Sequence, residues 1–380
     1  MSDANDATAP WRVYLYGAGS IAWRHGVAAE SLGPDAQLFA ADPSEDARRA
    51  LLARFPRAAA VYEDAEAMLA SSPGRERDVV VVAVPPYLHR AATLLAFRSG
   101  RHVLCEKPLA TSEAEMAEML AASDASGRLF GDCSSRYLGN GALGRARRLI
   151  EAGGIGSVYH ARFVSRQPRS RAGIEYQPAS TWFLDKDKSG GGVVLDWGVY
   201  DVAMFFDVLR PVAATVNRAW LATPRTGADP PAISVETHAG ASLTLTLRDG
   251  TVVPFDWERA SGFHGAAEAA LSVDGTAGGL TWEWVPTFDY RDEVDDESEA
   301  AGFRLVHSVD VDGKVENREE RFAAFGWEDA NRRPLLSFVD LIQGRDTAAL
   351  SRSRLEFNFG VVSAIYKCAS EGKPVHVQLK

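Results

Sequence analysis

A short apolar run, Trp11 to Tyr16, leads at once into Gly17-Ala18-Gly19-Ser20-Ile21-Ala22 and then into a helical stretch ending near Leu32. A glycine pattern set between a strand and a helix constrains the fold far more than the same pattern alone. Gly17 permits the tight turn, Gly19 lets a pyrophosphate approach the backbone, and Ala22 lets the helix pack on the strand. The free N–H groups around Ser20 and Ile21, at the helix start, then face the phosphates. The next strand, Gln37 to Ala41, ends at Asp42, 23 positions after Gly19. That is close to the spacing of an acid that hydrogen-bonds a ribose. Asp42 is followed by Pro43-Ser44-Glu45-Asp46, with no arginine before Arg48, so a 2′-phosphate would meet acids. The expectation is a dinucleotide-binding domain that takes NAD in preference to NADP.

Asp78 to Val84 is a nearly continuous valine strand, which suits a parallel sheet covered on both faces. It runs into Pro85-Pro86-Tyr87-Leu88-His89. The carboxyl ends of such strands are where an open α/β sheet receives its ligand, which places Val84 and Pro85 at the cofactor. His89 either orients the cofactor or caps the next helix. Arg101 to Cys105 is a further strand, and Glu106-Lys107-Pro108 follows it. An ammonium there, beside a nicotinamide, can hold a substrate hydroxyl oxygen, and partial burial next to a cationic ring lowers its pKa toward working pH. The other reading of Glu106-Lys107 is a solvated ion pair at a strand end.

With 380 residues, two domains are expected. The boundaries are a disordered tail over 1–10, a nucleotide-binding domain over 11–133 and an α+β domain over 134–380, whose last segment can pack back on the first domain. Hydrophobic content of 46% and charged content of 24% describe an ordinary globular protein. A net charge of −10 excludes non-specific nucleic-acid binding, which needs a basic footprint. The three cysteines form no CxxC pair and no zinc pattern, which fits a reducing compartment. No apolar run approaches the ~20 residues of a membrane span, and Met1–Pro10 lacks the features of a signal peptide. A cytoplasmic protein is expected.

In the second half, Ser157 to Ser165 alternates as a strand does, and Arg166-Gln167-Pro168-Arg169-Ser170-Arg171 breaks the pattern. The three arginines either receive an anionic substrate or form a solvated or intersubunit loop. Trp182 either stacks on a sugar face or anchors the core. Three glycines, Gly190 to Gly192, let a backbone come close to something flat or charged, and Asp196 and Tyr200 follow, four residues apart. If Asp196 opens a helix, carboxylate and phenol lie on one face, one turn apart. From Thr215 onward, strands alternate, with a hairpin turn at Arg248-Asp249-Gly250. Trp282, Trp284 and Phe288 suit a sheet face, and the acid-rich 289–299 stretch suits an exposed loop. The fold class is α/β: a Rossmann-type doubly wound parallel sheet, then an α+β domain with a large open, mainly antiparallel sheet.

The glycine-rich turn, Asp42, Pro85-Pro86-Tyr87-Leu88-His89, Glu106-Lys107-Pro108 and the Gly190–Tyr200 stretch together resemble the glucose–fructose oxidoreductase / inositol dehydrogenase / MocA family. The resemblance runs from about Trp11 to Leu209 and more loosely to Lys380. It implies that Glu106 contacts the cofactor ribose, that Lys107 serves catalysis, and that Arg136 sits where the family carries a polar cofactor contact. Many members have histidine at the position of Tyr200; the branches resembling this chain carry tyrosine. The implied function is NAD-dependent hydride transfer at a carbon of a sugar, polyol or sugar derivative. Lys107 and Tyr200 would handle the hydroxyl proton, and Asp196 would orient the sugar or the lysine. The alternative is an NAD-retaining glycoside hydrolase working by transient oxidation, elimination, hydration and re-reduction, on a glycoside that is anionic if Arg166 and its neighbours bind it. A non-enzymatic NAD-binding regulator is a third possibility. The resemblance also implies a homodimer or homotetramer formed through the C-terminal sheet. No metal is expected.

Overall fold

The computed structural model describes residues 9–168, 180–224, 233–282, 303–323, 327–345 and 350–380. Arg169, Arg171, Trp284, Phe288, the 289–299 stretch and most of the N-terminal tail lie outside the described residues. The chain divides into two compact units, one of residues 1–136 with 327–355 and one of residues 137–326 with 356–380.

The first unit is built on six parallel strands: β1 (Arg12–Tyr16), β2 (Gln37–Ala41), β3 (Ala60–Tyr62), β4 (Asp78–Val82), β5 (His102–Cys105) and β6 (Phe130–Asp132). Their order is β3-β2-β1-β4-β5-β6, so the winding reverses between β1 and β4. Val79 to Val82 are fully buried, as an apolar strand covered on both faces must be. The connecting helices are α1 (Ser20–Glu30), α2 (Glu45–Arg54), α3 (Ala65–Ala70), α4 (His89–Arg98) and α5 (Glu113–Ser126). Helix α1 buries a stripe of small residues, Ala22, Ala28 and Ala29, and one histidine, His25. Ser44, Asp64 and Ser112 cap α2, α3 and α5 by accepting a backbone N–H three residues on.

The second unit opens with α6 (Gly141–Glu151) and β7 (Val158–Gln167). It continues with the short α7 (Lys186–Ser189), a π-helical turn Val194–Gly198 and α8 (Val199–Leu209). Strands β8 (Ala213–Ala222), β9 (His238–Thr246), β10 (Val252–Ser261), β11 (Glu268–Gly275), β12 (Gly278–Trp282), β13 (Phe303–Val311) and β14 (Lys314–Phe322) come next. After α9 (Trp327–Ile342) and α10 (Arg352–Glu371), β15 (Val375–Gln378) closes the chain. The nine strands form one sheet, ordered β14-β13-β12-β11-β7-β10-β9-β8-β15. Only the β7–β10 pairing is parallel, so the sheet is mixed and mainly antiparallel. Alternation sets its two faces: along β10, Val253, Phe255 and Trp257 are buried while Val252, Pro254 and Asp256 are exposed. On the buried face lies α8, every residue of which is buried; Phe205 stacks on Phe255 at 4.9 Å and meets Phe163 edge-on at 5.9 Å. Trp282 is buried and tilts onto Phe205 at 5.2 Å. The opposite face is polar: the His160 ring lies 3.3 Å from both Asp256 and Asp274. The turn at Asp249–Gly250 joins β9 to β10, with Gly250 at φ +86°.

Strand β7 runs on through Arg166 and Gln167, which pair with Ala260 and Ser261 of β10. The expected break after Ser165 is therefore corrected: Arg166 is a strand residue. Helix α9 belongs to the first unit. Its Leu335, Phe338 and Val339 join the core formed by Val13, Leu15, Val79, Val81 and Leu104, and Phe338 lies directly over Gly131 of β6.

Candidate active site

Four strands of the first unit deliver their following residues to one edge of the sheet. After β1, Gly17 takes φ +109°, and a Cβ there would sit 2.6 Å from the Ala83 carbonyl oxygen. Gly17 is thus required by the chain's own packing. Gly19 is different: among the described residues, nothing lies within 4 Å of where its Cβ would be. Gly19 and Ser20 are exposed and Ile21 is half-buried, at an α1 N-terminus that carries no side-chain cap. Open space before uncapped N–H groups fits a pyrophosphate. After β2, the Asp42 carboxylate accepts the Ala18 N–H at 2.9 Å and the Ser44 N–H at 2.8 Å. It thereby ties the glycine turn to the strand end, and two carboxylate oxygens keep lone pairs beyond these bonds. After β4, Val84 and Pro85 are half-buried.

His89 is fully buried, with Nε2 2.8 Å from the Val84 carbonyl and Nδ1 2.8 Å from the Pro108 carbonyl. Burial pushes its pKa down, while the two carbonyl partners pull the other way. The ring does not cap α4, whose N-cap makes no side-chain hydrogen bond; it bridges the ends of β4 and of the Glu106–Pro108 segment.

Glu106 and Lys107 follow β5, and the Lys107–Pro108 peptide is cis. Lys107 is half-buried. Glu106 is 4% exposed. Its Oε1 meets His25 Nε2 at 2.8 Å and an Arg136 guanidinium nitrogen at 2.5 Å, and its Oε2 accepts the Lys107 N–H at 3.1 Å. Burial alone would raise the Glu106 pKa; the Arg136 charge, the His25 hydrogen bond and the Lys107 charge hold it well below the usual carboxylate range. Arg136 itself is 3% exposed. Asp132, one strand over, accepts the Ser134 N–H at 2.8 Å and also the Ser134 hydroxyl. Burial and the Glu106 charge push its pKa up to about 6 against those bonds.

In the second unit, Asp196 lies inside the π-helical turn Val194–Gly198, so it does not open a helix as expected. Tyr200 lies in the first turn of α8. Such π turns recur at functional sites. Asp196 is 8% and Tyr200 2% exposed, and Tyr200 meets Tyr137 edge-on at 4.9 Å. The glycines before them answer to neighbours within the chain. Gly190 takes φ +80° to end α7; a Cβ on Gly191 would strike the Tyr366 hydroxyl, and one on Gly192 the Glu236 carbonyl. The Glu236 Oε1 accepts the Gly192 N–H at 2.9 Å, the Val194 N–H at 3.1 Å and the Tyr366 hydroxyl at 2.6 Å. Its backbone carbonyl takes the Val193 N–H at 3.0 Å. A carboxylate from another segment therefore caps the turn that carries Asp196.

Trp182 is half-buried and stacks on Phe183 at 3.7 Å. Arg166 lies 3.4 Å from Glu258 and 3.1 Å from Glu268, with its guanidinium over Phe263. An anion reaching Arg166 would have to compete with two carboxylates.

Three groups escaped the sequence reading: His25, Glu236 and Tyr366. A signal existed for His25 alone, as a polar residue in the small-residue stripe of α1.

Two family models match the chain. The oxidoreductase family, NAD-binding Rossmann fold, matches residues 11–131, and the GFO/IDH/MocA C-terminal domain matches residues 143–281. The 1,5-anhydro-D-fructose reductase of Ensifer adhaerens is 34% identical over 217 residues, 53% of this chain and 56% of that protein. The D-glucoside 3-dehydrogenase of Escherichia coli (strain K12) is 30% identical over 203 residues, 52% of this chain and 54% of that protein. The chain thus spans about half the length of the curated relatives it matches. Levoglucosan dehydrogenase in complex with NADH shares the fold, at a TM-score of 0.74 and 18% identity over 98% of this chain and 100% of that one. With models of one family covering both halves of it, the chain belongs to the glucose–fructose oxidoreductase / inositol dehydrogenase / MocA family.

Proposed function

We propose that the protein is an NAD-dependent oxidoreductase moving a hydride between nicotinamide and a carbon of a sugar, polyol or sugar derivative. The observation that carries this reading is the place of Lys107. It follows β5 on the sheet edge where Gly19 leaves open space and Asp42 keeps acceptor capacity. The substrate class rests on the relatives, named for an anhydro sugar and a glucoside.

Bound NAD supplies the hydride acceptor. The chain's own groups do the rest. The turn Gly17–Ile21 receives the pyrophosphate and Asp42 the ribose hydroxyls. Lys107 holds the substrate hydroxyl oxygen and takes its proton as the carbon gives up hydride. Tyr200 is the second proton-handling group, in a tyrosine-bearing branch of the family, and Asp196 orients the substrate. NAD is preferred over NADP because a 2′-phosphate would add charge beside the Asp42 carboxylate, while Arg48 spends Nη1 on the Asp42 and Pro43 carbonyls at 2.7 and 3.0 Å. Assembly is as a dimer or tetramer through the nine-stranded sheet, which light scattering would read. The buried free cysteines fit a cytoplasmic location. Among the described residues, no helix is long and apolar enough to cross a membrane.

The test is NADH formation by purified protein with excess NAD and a panel of sugars, polyols and glycosides. Absorbance that rises with one of them, and falls at least 100-fold in Lys107→Ala, supports the reading. A flat trace with aglycone release from a glycoside moves the assignment to redox-neutral cleavage. A flat trace with neither product, from protein that binds NAD, leaves a binding protein.

A further inference from the structure

The peptide before Lys107 and the peptide after Pro108 are both tied down. On one side its own N–H turns back onto Glu106 Oε2 at 3.1 Å. On the other side the Pro108 carbonyl faces His89 Nδ1 at 2.8 Å, and the same ring faces the Val84 carbonyl at the end of β4. Glu106 is in turn gripped from two further places. His25 reaches it from α1, 81 residues away in sequence, and Arg136 from the turn after β6. The His25 ring is buried, and among the described residues its Nδ1 has no hydrogen-bond partner. Its orientation is therefore governed by the one strong bond it makes, through Nε2 to Glu106.

A cation site is the competing reading, since His25, Glu106 and Cys133 bring one ligand atom each to within 4.8 Å of one another. The guanidinium of Arg136 lies on the same carboxylate oxygen. A fixed positive charge at that oxygen repels a metal ion, and the geometry is that of a buried ion pair with a histidine donor. The resemblance implies a ribose contact for Glu106; within the first unit its Oε1 meets His25 and Arg136 and its Oε2 accepts the Lys107 N–H.

Resting on the reading of Lys107 as the group that handles the hydroxyl proton, we propose that His25 and Arg136 hold the Glu106 carboxylate against the Lys107 peptide, so that these three are positioning residues setting the place and the charge environment of Lys107. Among the described residues, six charged or titratable groups interact with Glu106 besides Lys107: His25 from α1, His89 from α4, Cys105 from β5, Asp132 from β6, and Cys133 and Arg136 from the turn after β6. Arg136 is the strongest of these partners. A carboxylate one residue from a lysine favours the ammonium form, by the reciprocity of any charge pair. Removing that charge makes the lysine give up its proton at lower pH.

The experiment uses the full chain and two readouts. The first is independent of turnover: competitive acetylation of Lys107 by acetic anhydride across pH, read by mass spectrometry. In Glu106→Gln the Lys107 labelling curve moves about one unit to lower pH, a tenfold rise in reactivity on its acid limb. The second readout is kinetic: kcat for a substrate found in the panel falls at least tenfold, while the KM for NAD stays within about threefold. His25→Ala lowers kcat in the same way, and His25→Gln, which keeps a donor, restores most of it. An unmoved labelling curve in folded Glu106→Gln overturns the proposal. So does a raised KM for NAD with unchanged kcat, which would make Glu106 a cofactor contact. If Glu106→Gln does not fold, the two His25 variants decide: equal, wild-type kcat in both overturns the proposal. Should Lys107→Ala keep full turnover, the functional reading fails, and the labelling curve still tests whether Glu106 governs Lys107.

Discussion

Gly192 sits against the Glu236 carbonyl with no room for one more carbon. Gly192→Ala is expected to cost about 1–3 kcal/mol, by the usual penalty for overpacking, as a lowered urea midpoint would show. Tyr366→Phe removes one hydrogen bond to Glu236 and costs about 1 kcal/mol by the same measurement; burial and the Glu236 charge push the Tyr366 pKa well up, so its hydroxyl remains a donor. If Tyr200 handles the hydroxyl proton as proposed, Tyr200→Phe is expected to lose most turnover while NAD binding, read by calorimetry, survives. Asp132 and Glu106 give stability opposite pH dependences. Asp132 is raised to about 6 in the fold, above the ordinary value of about 3.9. Its contribution is present below that ordinary value and lost as pH rises through about 6. Glu106 is depressed, so its contribution is present above its ordinary value of about 4.3 and lost as pH falls below it. Relative to the wild type, Asp132→Asn therefore gains thermal stability from pH 4 to pH 7, and a constant difference in melting midpoint would refute this.

At the scale of elements, α8 is pinned to β10 by a buried cluster. Arg259 donates to both Asp201 oxygens at 2.7 and 2.6 Å, and Trp257 Nε1 donates at 2.9 Å. Burial pushes the Asp201 pKa up against the Arg259 charge. Arg259→Ala leaves that carboxylate buried and unpaired, and should cost about 3–5 kcal/mol in a denaturant titration. Legibility from sequence follows the same scale. The β1–Gly17–α1 unit, the valine strand β4 and the Asp249–Gly250 hairpin are written in consecutive residues, so periodicity and turn chemistry reveal them. The π turn at Val194–Gly198 is not. Its cap, Glu236, lies 42 residues on from Val194, and Tyr366 reaches that cap across 130 more. The extension of β7 through Arg166 was hidden for the same reason: Glu258 and Glu268 come from β10 and β11. The three glycines announced a close approach, and only the packing shows that the atoms approached belong to this chain.

At the scale of the molecule, each sheet is completed from a distance. The first unit takes α9, whose Leu335 and Phe338 are fully buried in its core. Residues 1–136 alone should lack a cooperative unfolding transition by circular dichroism and gain one when 327–355 is supplied. A fragment 1–136 that melts cooperatively by itself would remove α9 from that role. The second unit takes β15, which pairs with β8 at the edge of its sheet. The path of the chain through these units bears on its synthesis. The first unit's own residues are separated by 190 positions, 137 to 326, of the other. At a ribosomal rate of about 5–20 residues per second, this leaves a pause of roughly 10–40 s. During it, the nascent sheet waits with the apolar seat of Phe338, over Gly131, uncovered.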